Sequence, residues 1–256
     1  MDKSKYINKV KGHALIDGGS GGIGSECVRG LVANGAEAIT ITFNSNEAKA
    51  RKVATEIEAE GVRVYVDRAN PLDVTEYAAF LERAVAFHGG MDISTYVNAV
   101  GWSPNTPIEE QTVEEHRKVM DINLHGPFFA TRTNLVRMRT MGIRGSVVLI
   151  TSTNGINSNS PISSHYDASK AGLVPHIRNF GTWFAPHGMR VNGVAPGWIE
   201  TPMNDTLPLE ERERESAKIW IGRWAEPHEV ANMVVAVAGS TGSYVTGTNI
   251  IVDGGY

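Results

Sequence analysis

Apolar residues recur along this chain in short unbroken runs separated by longer amphipathic stretches. The runs fall at 13–16, 38–43, 62–66, 93–98, 146–151, 190–194 and 248–252. Between most of them, apolar positions repeat with the helical period over about 23–34, 47–60, 73–87, 113–138, 164–184 and 227–238. Short runs without alternation suit strands covered on both faces, and the longer periodic stretches suit helices with one apolar side. The regular succession of the two predicts an α/β chain: one doubly wound Rossmann-type domain, with about seven parallel strands and helices on both faces. The fourth helix opens on Thr112-Val113-Glu114-Glu115, the pattern of a capping box. No linker, repeat or low-complexity segment divides the chain. Residues 198–222 stand outside the alternation and are expected to cover the substrate, and the charge run Glu210 to Glu215 within them reads as a solvated helix face.

Composition narrows the possibilities. With 256 residues, 41% hydrophobic and 20% charged, the chain has the make-up of a globular domain with a large core. A net charge of -4 gives no footprint for nucleic acid or a membrane surface. The single cysteine, Cys27, cannot form an intrachain disulfide, Met1 to Tyr6 lead into no apolar signal core, and no apolar run approaches a membrane span. A cytoplasmic location is expected. The eight histidines show no metal-binding spacing, and no G-x-S-x-G elbow is present, so neither a metal centre nor a serine hydrolase is expected.

The candidate chemistry sits at the ends of the strand-like runs. Gly18-Gly19-Ser20-Gly21-Gly22-Ile23-Gly24 lies between the first run and the first helix. A glycine-rich turn there lets backbone N–H groups approach a pyrophosphate at a helix N-terminus. Tyr166 and Lys170 are four residues apart, on one face of a helix spanning 164–184. An ammonium beside a phenol favours the phenolate and brings it nearer to a working pH, and the Ser152 hydroxyl can hold a carbonyl oxygen within reach of the phenol proton. That set suits carbonyl reduction, or alcohol oxidation in reverse. The turns at Gly18–Gly24, Asn98–Gly101, Ser152 and Pro196–Gly197 all follow strand-like runs, so a parallel sheet gathers them along one edge.

In these motifs the chain resembles the short-chain dehydrogenase/reductases, from about Gly12 to Tyr256, and most of all the 3-oxoacyl-carrier-protein reductases and related ketone, sugar and polyol enzymes. The residues that carry the likeness are the glycine turn, Asn98-Ala99-Val100-Gly101, Ile122-Asn123-Leu124-His125-Gly126, Ile150-Thr151-Ser152, Tyr166 to Lys170, Pro196-Gly197-Trp198-Ile199-Glu200-Thr201-Pro202-Met203, and the stretch Tyr244 to Gly255. The resemblance implies hydride transfer between nicotinamide and a carbonyl or secondary alcohol. In that scheme Tyr166 is the acid/base, Lys170 lowers its pKa and holds the ribose, Ser152 polarises the carbonyl, and Asn123 links Lys170 to solvent through its helix backbone and a water. It places the cofactor on Gly18, Ser20, Gly22, Ile23, Gly24, Asn98, Ala99, Gly101, Tyr166, Lys170, Pro196, Gly197, Ile199 and Thr201, with Asp67 and Arg68 at the adenine. It also implies a homotetramer built through the two long helices and the C-terminal strand.

Cofactor choice follows from a missing carboxylate. Twenty residues past Gly24 stand Asn44 and Ser45, and no acidic residue occurs before Glu47, so nothing there repels a 2′-phosphate and NADP(H) is favoured over NAD(H). Lys49, Arg51 or Arg68 can supply positive charge. Two residues depart from the family pattern. Asp17 replaces the threonine that ties the first turn to the Asn98 segment, and its charge near a pyrophosphate weakens cofactor binding unless neutralised. Ala99 replaces the second asparagine. Several assignments stay open. Trp198, Trp220 and Trp224 line an apolar pocket or pack in the core, and Trp102 closes one side of the pocket. Asn154, Asn157, Ser158, Asn159 and Ser160 contact a hydroxylated substrate or form a surface loop. Arg132, Arg137, Arg139 and Arg144 receive an acyl carrier at the pocket entrance or face solvent. His165 is expected to be structural or exposed. A sugar or polyol dehydrogenase, and a cofactor-binding sensor with little catalysis, are the alternatives.

Overall fold

The computed structural model describes residues 7–158, 160–202, 204 and 207–256. Met1 to Tyr6, Asn159 and Met203, named above, lie outside the described residues, as do Asp205 and Thr206 within the stretch 198–222. Seven strands, β1 (His13–Asp17), β2 (Ala38–Phe43), β3 (Arg63–Arg68), β4 (Ile93–Asn98), β5 (Ser146–Ile150), β6 (Arg190–Pro196) and β7 (Asn249–Val252), form one sheet. Its order is β3-β2-β1-β4-β5-β6-β7, with every neighbouring pair parallel. The helices are α1 (Gly22–Ala33), α2 (Glu47–Glu58), α3 (Val74–Phe87), α4 (Val113–Met120), α5 (Gly126–Thr140), α6 (Ser164–Phe184), α7 (Leu209–Ser216) and α8 (Pro227–Ala238).

Strand alternation sends side chains to two cores. Ala14 and Ile16 of β1 join Ile39 and Ile41 of β2 beneath α1, α2 and α8. Leu15 joins Tyr96, Val147 and Leu149 beneath α3, α5 and α6. β1 and β5 are buried along their whole length, which explains why those runs carry no polar alternation. Strand order reverses between β1 and β4, and in a parallel sheet that reversal opens a crevice beyond the strands' carboxyl ends.

The stretch expected as one helix over 113–138 is three pieces. A π-helical turn, Asp121–His125, separates α4 from α5. Pro127 has no N–H to offer the carbonyl four residues back, that of Asn123, and the Gly126 N–H reaches five residues back to Asp121 instead. The capping box is also only half made. The Glu115 N–H donates to the Thr112 hydroxyl (3.1 Å), but the Glu115 carboxylate points elsewhere. No helix among the described residues is long and apolar enough to cross a membrane.

Candidate active site

A cleft of about 520 Å³ opens at the switch point. One side is the turn from β1 into α1. Gly18 has φ 75° and its carbonyl accepts the Gly21 N–H (2.9 Å). A methyl group added at Gly24 would lie 2.2 Å from the Gly18 oxygen, so only glycine lets α1 start this close to β1. At Gly22 it would lie 2.8 Å from the Thr201 methyl, so the loop after β6 passes directly over the turn. Backbone N–H groups at a bare helix start, with no side chain in the way, are what a pyrophosphate requires. The residues present therefore fit a dinucleotide.

Of the residues assigned to the cofactor, Gly22, Ile23, Gly24, Ala99, Gly101, Pro196, Gly197, Ile199 and Thr201 line the cleft, with Ser152, Tyr166 and Lys170. Gly18, Ser20, Asn44, Ser45, Asp67, Arg68 and Asn98 lie outside the cleft wall; Asn44, Ser45 and Arg68 are exposed where β2 and β3 end, and Asn98 is buried. The Asp67 carboxylate is already engaged by the Tyr65 hydroxyl (2.8 Å), the Arg68 N–H (2.8 Å) and Arg83 (3.1 Å). Lys49, on the first turn of α2, also lines the cleft, whereas Arg51 is paired with Glu47.

The three hydroxyls around Ser152 separate cleanly. The Thr151 hydroxyl lies 3.1 Å from the Val194 carbonyl and 2.8 Å from the Asn249 side chain, and Thr153 donates to the Pro196 carbonyl (3.2 Å). Ser152 accepts the Asn154 N–H (3.1 Å), which leaves its own proton for another partner. Ser152 is brought to α6 by Gly155: a methyl group there would lie 2.6 Å from the Lys170 carbonyl carbon. The Ser-x-x-Gly spacing thus seats the turn against the helix backbone.

Tyr166 and Lys170 share the cleft-facing side of α6, with the ammonium 5.8 Å from the phenol ring centre. Their electrostatics differ from expectation. Burial pushes the Tyr166 phenol up to about 12, the Ser152 hydroxyl draws it down, and Asp167 pushes it further up. The Lys170 ammonium donates to the carbonyls of Ile150 (3.0 Å) and Val100 (3.4 Å). Burial brings Lys170 down to about 8. Asn123 is fully buried behind the cleft, and its amide clamps both backbone groups of Trp102 at 2.8 Å. Pro127 leaves the Asn123 carbonyl without the N–H that a regular helix offers four residues on.

Asp17 corrects another expectation. Its side chain follows Leu15 onto the α3/α5 face, opposite α1, and accepts from the hydroxyls of Thr42 (2.9 Å), Tyr77 (2.9 Å) and Tyr96 (2.8 Å). Each hydroxyl in turn accepts an N–H: Thr42 from Gly18 (3.3 Å), Tyr77 from Asn134 (3.3 Å) and Tyr96 from Asn98 (2.8 Å). All three hydroxyl protons therefore go to Asp17, which accepts as a carboxylate. Burial pushes its carboxyl above the ordinary range; Tyr96, Tyr77 and Thr42 oppose that shift. The tie between the first turn and the Asn98 segment survives, routed through a tyrosine.

The open assignments resolve as follows. Trp198 lines the cleft, stacked on the buried Trp224 (5.0 Å, 17°), while Trp220 is 90% exposed. Trp102 lies under the Lys118 ammonium (4.5 Å), away from the cleft wall. Asn154 and Ser158 bond Asp167, so much of the polar loop organises the residue next to Tyr166; Asn157 and Ser160 remain on the cleft wall. The charge run of α7 is not simply a solvated face: Glu210, Glu213 and Arg214 are exposed, Glu211 and Arg212 are half-buried, Glu215 is buried against Lys218 and Tyr256, and Glu211, Arg214 and Glu215 line the cleft. The basic patch is not at the entrance. Arg137 bonds Asp92 (2.7 Å) just before β4, Arg144 packs on Gly188 before β6, and Arg139 lies over Phe184 at the end of α6, all toward the opposite edge of the sheet.

Comparison with known proteins agrees with this geometry. A family model described as enoyl-(acyl carrier protein) reductase matches residues 18–256. The chain belongs to the short-chain dehydrogenase/reductase family. It is 33% identical over 252 residues to a 3-alpha-(or 20-beta)-hydroxysteroid dehydrogenase of Mycobacterium tuberculosis, covering 98% of this chain and 90% of the relative. It is also 33% identical over 243 residues to a 3-oxoacyl-(acyl-carrier-protein) reductase of Thermotoga maritima, covering 94% and 96%. The structure of a gluconate 5-dehydrogenase from Burkholderia cenocepacia, solved with NADP and tartrate, superposes with a TM-score of 0.88 at 26% identity over 96% of each chain. The protein is thus an oxidoreductase acting on CH–OH or C=O groups.

Proposed function

We propose that this short-chain dehydrogenase/reductase is an NADP(H)-dependent cytoplasmic enzyme that interconverts a ketone, or a 3-oxoacyl thioester, and the corresponding secondary alcohol. The observation that carries this reading is the meeting of Ser152, Tyr166 and Lys170 in the cleft under the glycine turn. The bound nicotinamide supplies or takes the hydride. With substrate and cofactor bound, Ser152 would turn its hydroxyl proton from the Tyr166 oxygen to the carbonyl oxygen and Tyr166 would give its phenol proton to the alkoxide that forms, while Lys170, turned from the Ile150 carbonyl, would hold the ribose and favour the phenolate. The Asn123 carbonyl, without an N–H at position 127, receives the water that returns a proton toward Lys170. Residues 198–222 close over the substrate.

Two features support NADP(H). No carboxylate stands at Asn44 or Ser45, and Lys49 lines the same cleft as Gly21 and Gly22. Lys49→Ala should raise KM for NADPH about tenfold and leave KM for NADH within about twofold. A sugar or polyol dehydrogenase is the second reading. It is favoured by the polar wall at Ser103, Asn105, Asn157 and Ser160, and by the absence of Arg137, Arg139 and Arg144 from the entrance. A homotetramer fits the exposed apolar side chains Trp183 on α6 and Ile251 on β7. The deciding experiment follows oxidation of NADPH and NADH against ketones, 3-oxoacyl thioesters and keto sugars, with Tyr166→Phe alongside. Turnover that falls at least about 100-fold in Tyr166→Phe carries the reading. Binding of either cofactor without turnover on any substrate sinks it in favour of a sensor.

A further inference from the structure

The two residues beside Tyr166 are anchored in different directions. Asp167 faces the loop after β5, where the side chains of Asn154 (2.8 Å), Ser158 and Ser163 (2.9 Å) donate to it. His165 faces α4. It is 1% exposed, and its Nε2 lies 3.2 Å from the Glu115 carboxylate. Its Nδ1 lies 3.0 Å from the Tyr166 backbone nitrogen.

The first N–H groups of a helix have no carbonyl of their own helix to meet, and a side-chain acceptor at the preceding residue usually serves them. Here Ser163 occupies that place and makes no cap, because its hydroxyl is turned to Asp167. The Tyr166 N–H is served by the imidazole of its own neighbour. A backbone N–H can only donate, so Nδ1 must be the bare acceptor nitrogen and Nε2 must carry the proton. That proton points at Glu115, the residue whose carboxylate left its own helix cap unmade. The two contacts demand the same tautomer, and the ring is buried away from the surface. A second link runs alongside, from the Ser164 hydroxyl to Gln111 (2.8 Å).

We propose that His165, held as the Nε2–H tautomer by Glu115, is a positioning residue that fixes the backbone of Tyr166 and so the height of its phenol above Ser152 and Lys170. This rests on the reductase reading. Without the cap the first turn of α6 frays, the Tyr166 Cα shifts, and the phenol leaves the line to the carbonyl oxygen. Lys170, one turn further along, stays in place. The expected deficit therefore falls on proton transfer and not on cofactor binding.

Two substitutions separate the contacts. His165→Asn places an oxygen where Nδ1 was and keeps the cap but cannot reach Glu115. His165→Gln reaches Glu115 but has no acceptor at the nearer position. The proposal expects kcat to fall about 10–100-fold in His165→Gln, with the cofactor KM within about twofold, and to recover to within about threefold of wild type in His165→Asn. Equal losses in the two variants, or wild-type kcat in His165→Gln, would overturn it. The histidine tautomer is read on the unaltered protein by long-range ¹⁵N–¹H correlation, so a variant that fails to fold does not shield the idea. A proton on Nδ1 of His165 at neutral pH contradicts it. A wild-type protein that reduces nothing defeats the reductase reading and this role together, whereas an active wild type with an unimpaired His165→Gln defeats this role alone.

Discussion

At the residue scale the site depends on side chains that never touch substrate. Asp17 is the clearest. One carboxylate takes protons from β2, α3 and β4, and through Tyr96 it sets the Asn98 side chain behind the cofactor cleft. Asp17→Asn leaves buried hydroxyls without an ionised acceptor and should cost about 3 kcal/mol in chemical denaturation. The two tyrosines divide its work. Tyr77→Phe should lower stability while leaving cofactor KM within about twofold, because Tyr77 leads only to Asn134 in α5. Tyr96→Phe, which frees Asn98, should raise cofactor KM several-fold at similar stability cost; equal effects in the two variants would refute that division. The phenol of Tyr166 in the cofactor-free enzyme should titrate near 12, seen as a tyrosinate absorbance step missing in Tyr166→Phe. The residues of the glycine turn, Ser152 and the Tyr/Lys pair were legible because each motif is local, a few residues held at fixed spacing. The roles of Asp17 and His165 were not, because their partners lie far off in sequence: Tyr96 is 79 residues from Asp17 and Glu115 is 50 from His165.

At the element scale, all seven strands fall where the apolar runs put them; β1 and β5 are buried along their whole length, while the edge strands β3 and β7 are only partly covered. The break in the 113–138 helix was hidden because a π-turn adds one residue while the backbone stays helical on either side; Pro127 was the local sign. Restoring an N–H there by Pro127→Ala should let the Asn123 carbonyl rejoin the helix. The expected result is an unchanged or higher Tm with kcat reduced about tenfold. The close seat of the Ser152 turn on α6 gives a second element-scale prediction. Gly155→Ala forces the turn off Lys170 and should lower both Tm and kcat, the latter by at least about tenfold. An enzyme of wild-type activity carrying either change would show that these backbone contacts do not set the site.

At the scale of the whole molecule, the end of the sheet opposite the cleft contributes to acid sensitivity. His13 is fully buried between Thr40 (2.8 Å) and the Met91 carbonyl (3.0 Å), and burial, then the neighbouring His88, brings it down from 6.5 to about 4. The unfolded chain takes the proton first, so this contribution is whole above about pH 6.5 and is lost as pH falls toward 4. It amounts to at most about 3 kcal/mol. His88 shifts in the same direction. Tm measured against pH should fall less steeply over that interval in His13→Asn than in wild type, and parallel curves would exclude His13 as the source.

The strand order carries a consequence for how the chain is made. β1 lies in the middle of the sheet, flanked by β2 and by β4, whose partner residues begin 80 positions later at Ile93. On a ribosome, β1, β2 and β3 are available to pair long before β4 emerges, and through that interval the open side of β1 is an apolar edge with nothing to close it. Asp17 then sits at that edge as a charged carboxylate still in water. The same side chain that locks the finished seam guards the nascent one against pairing with a neighbour.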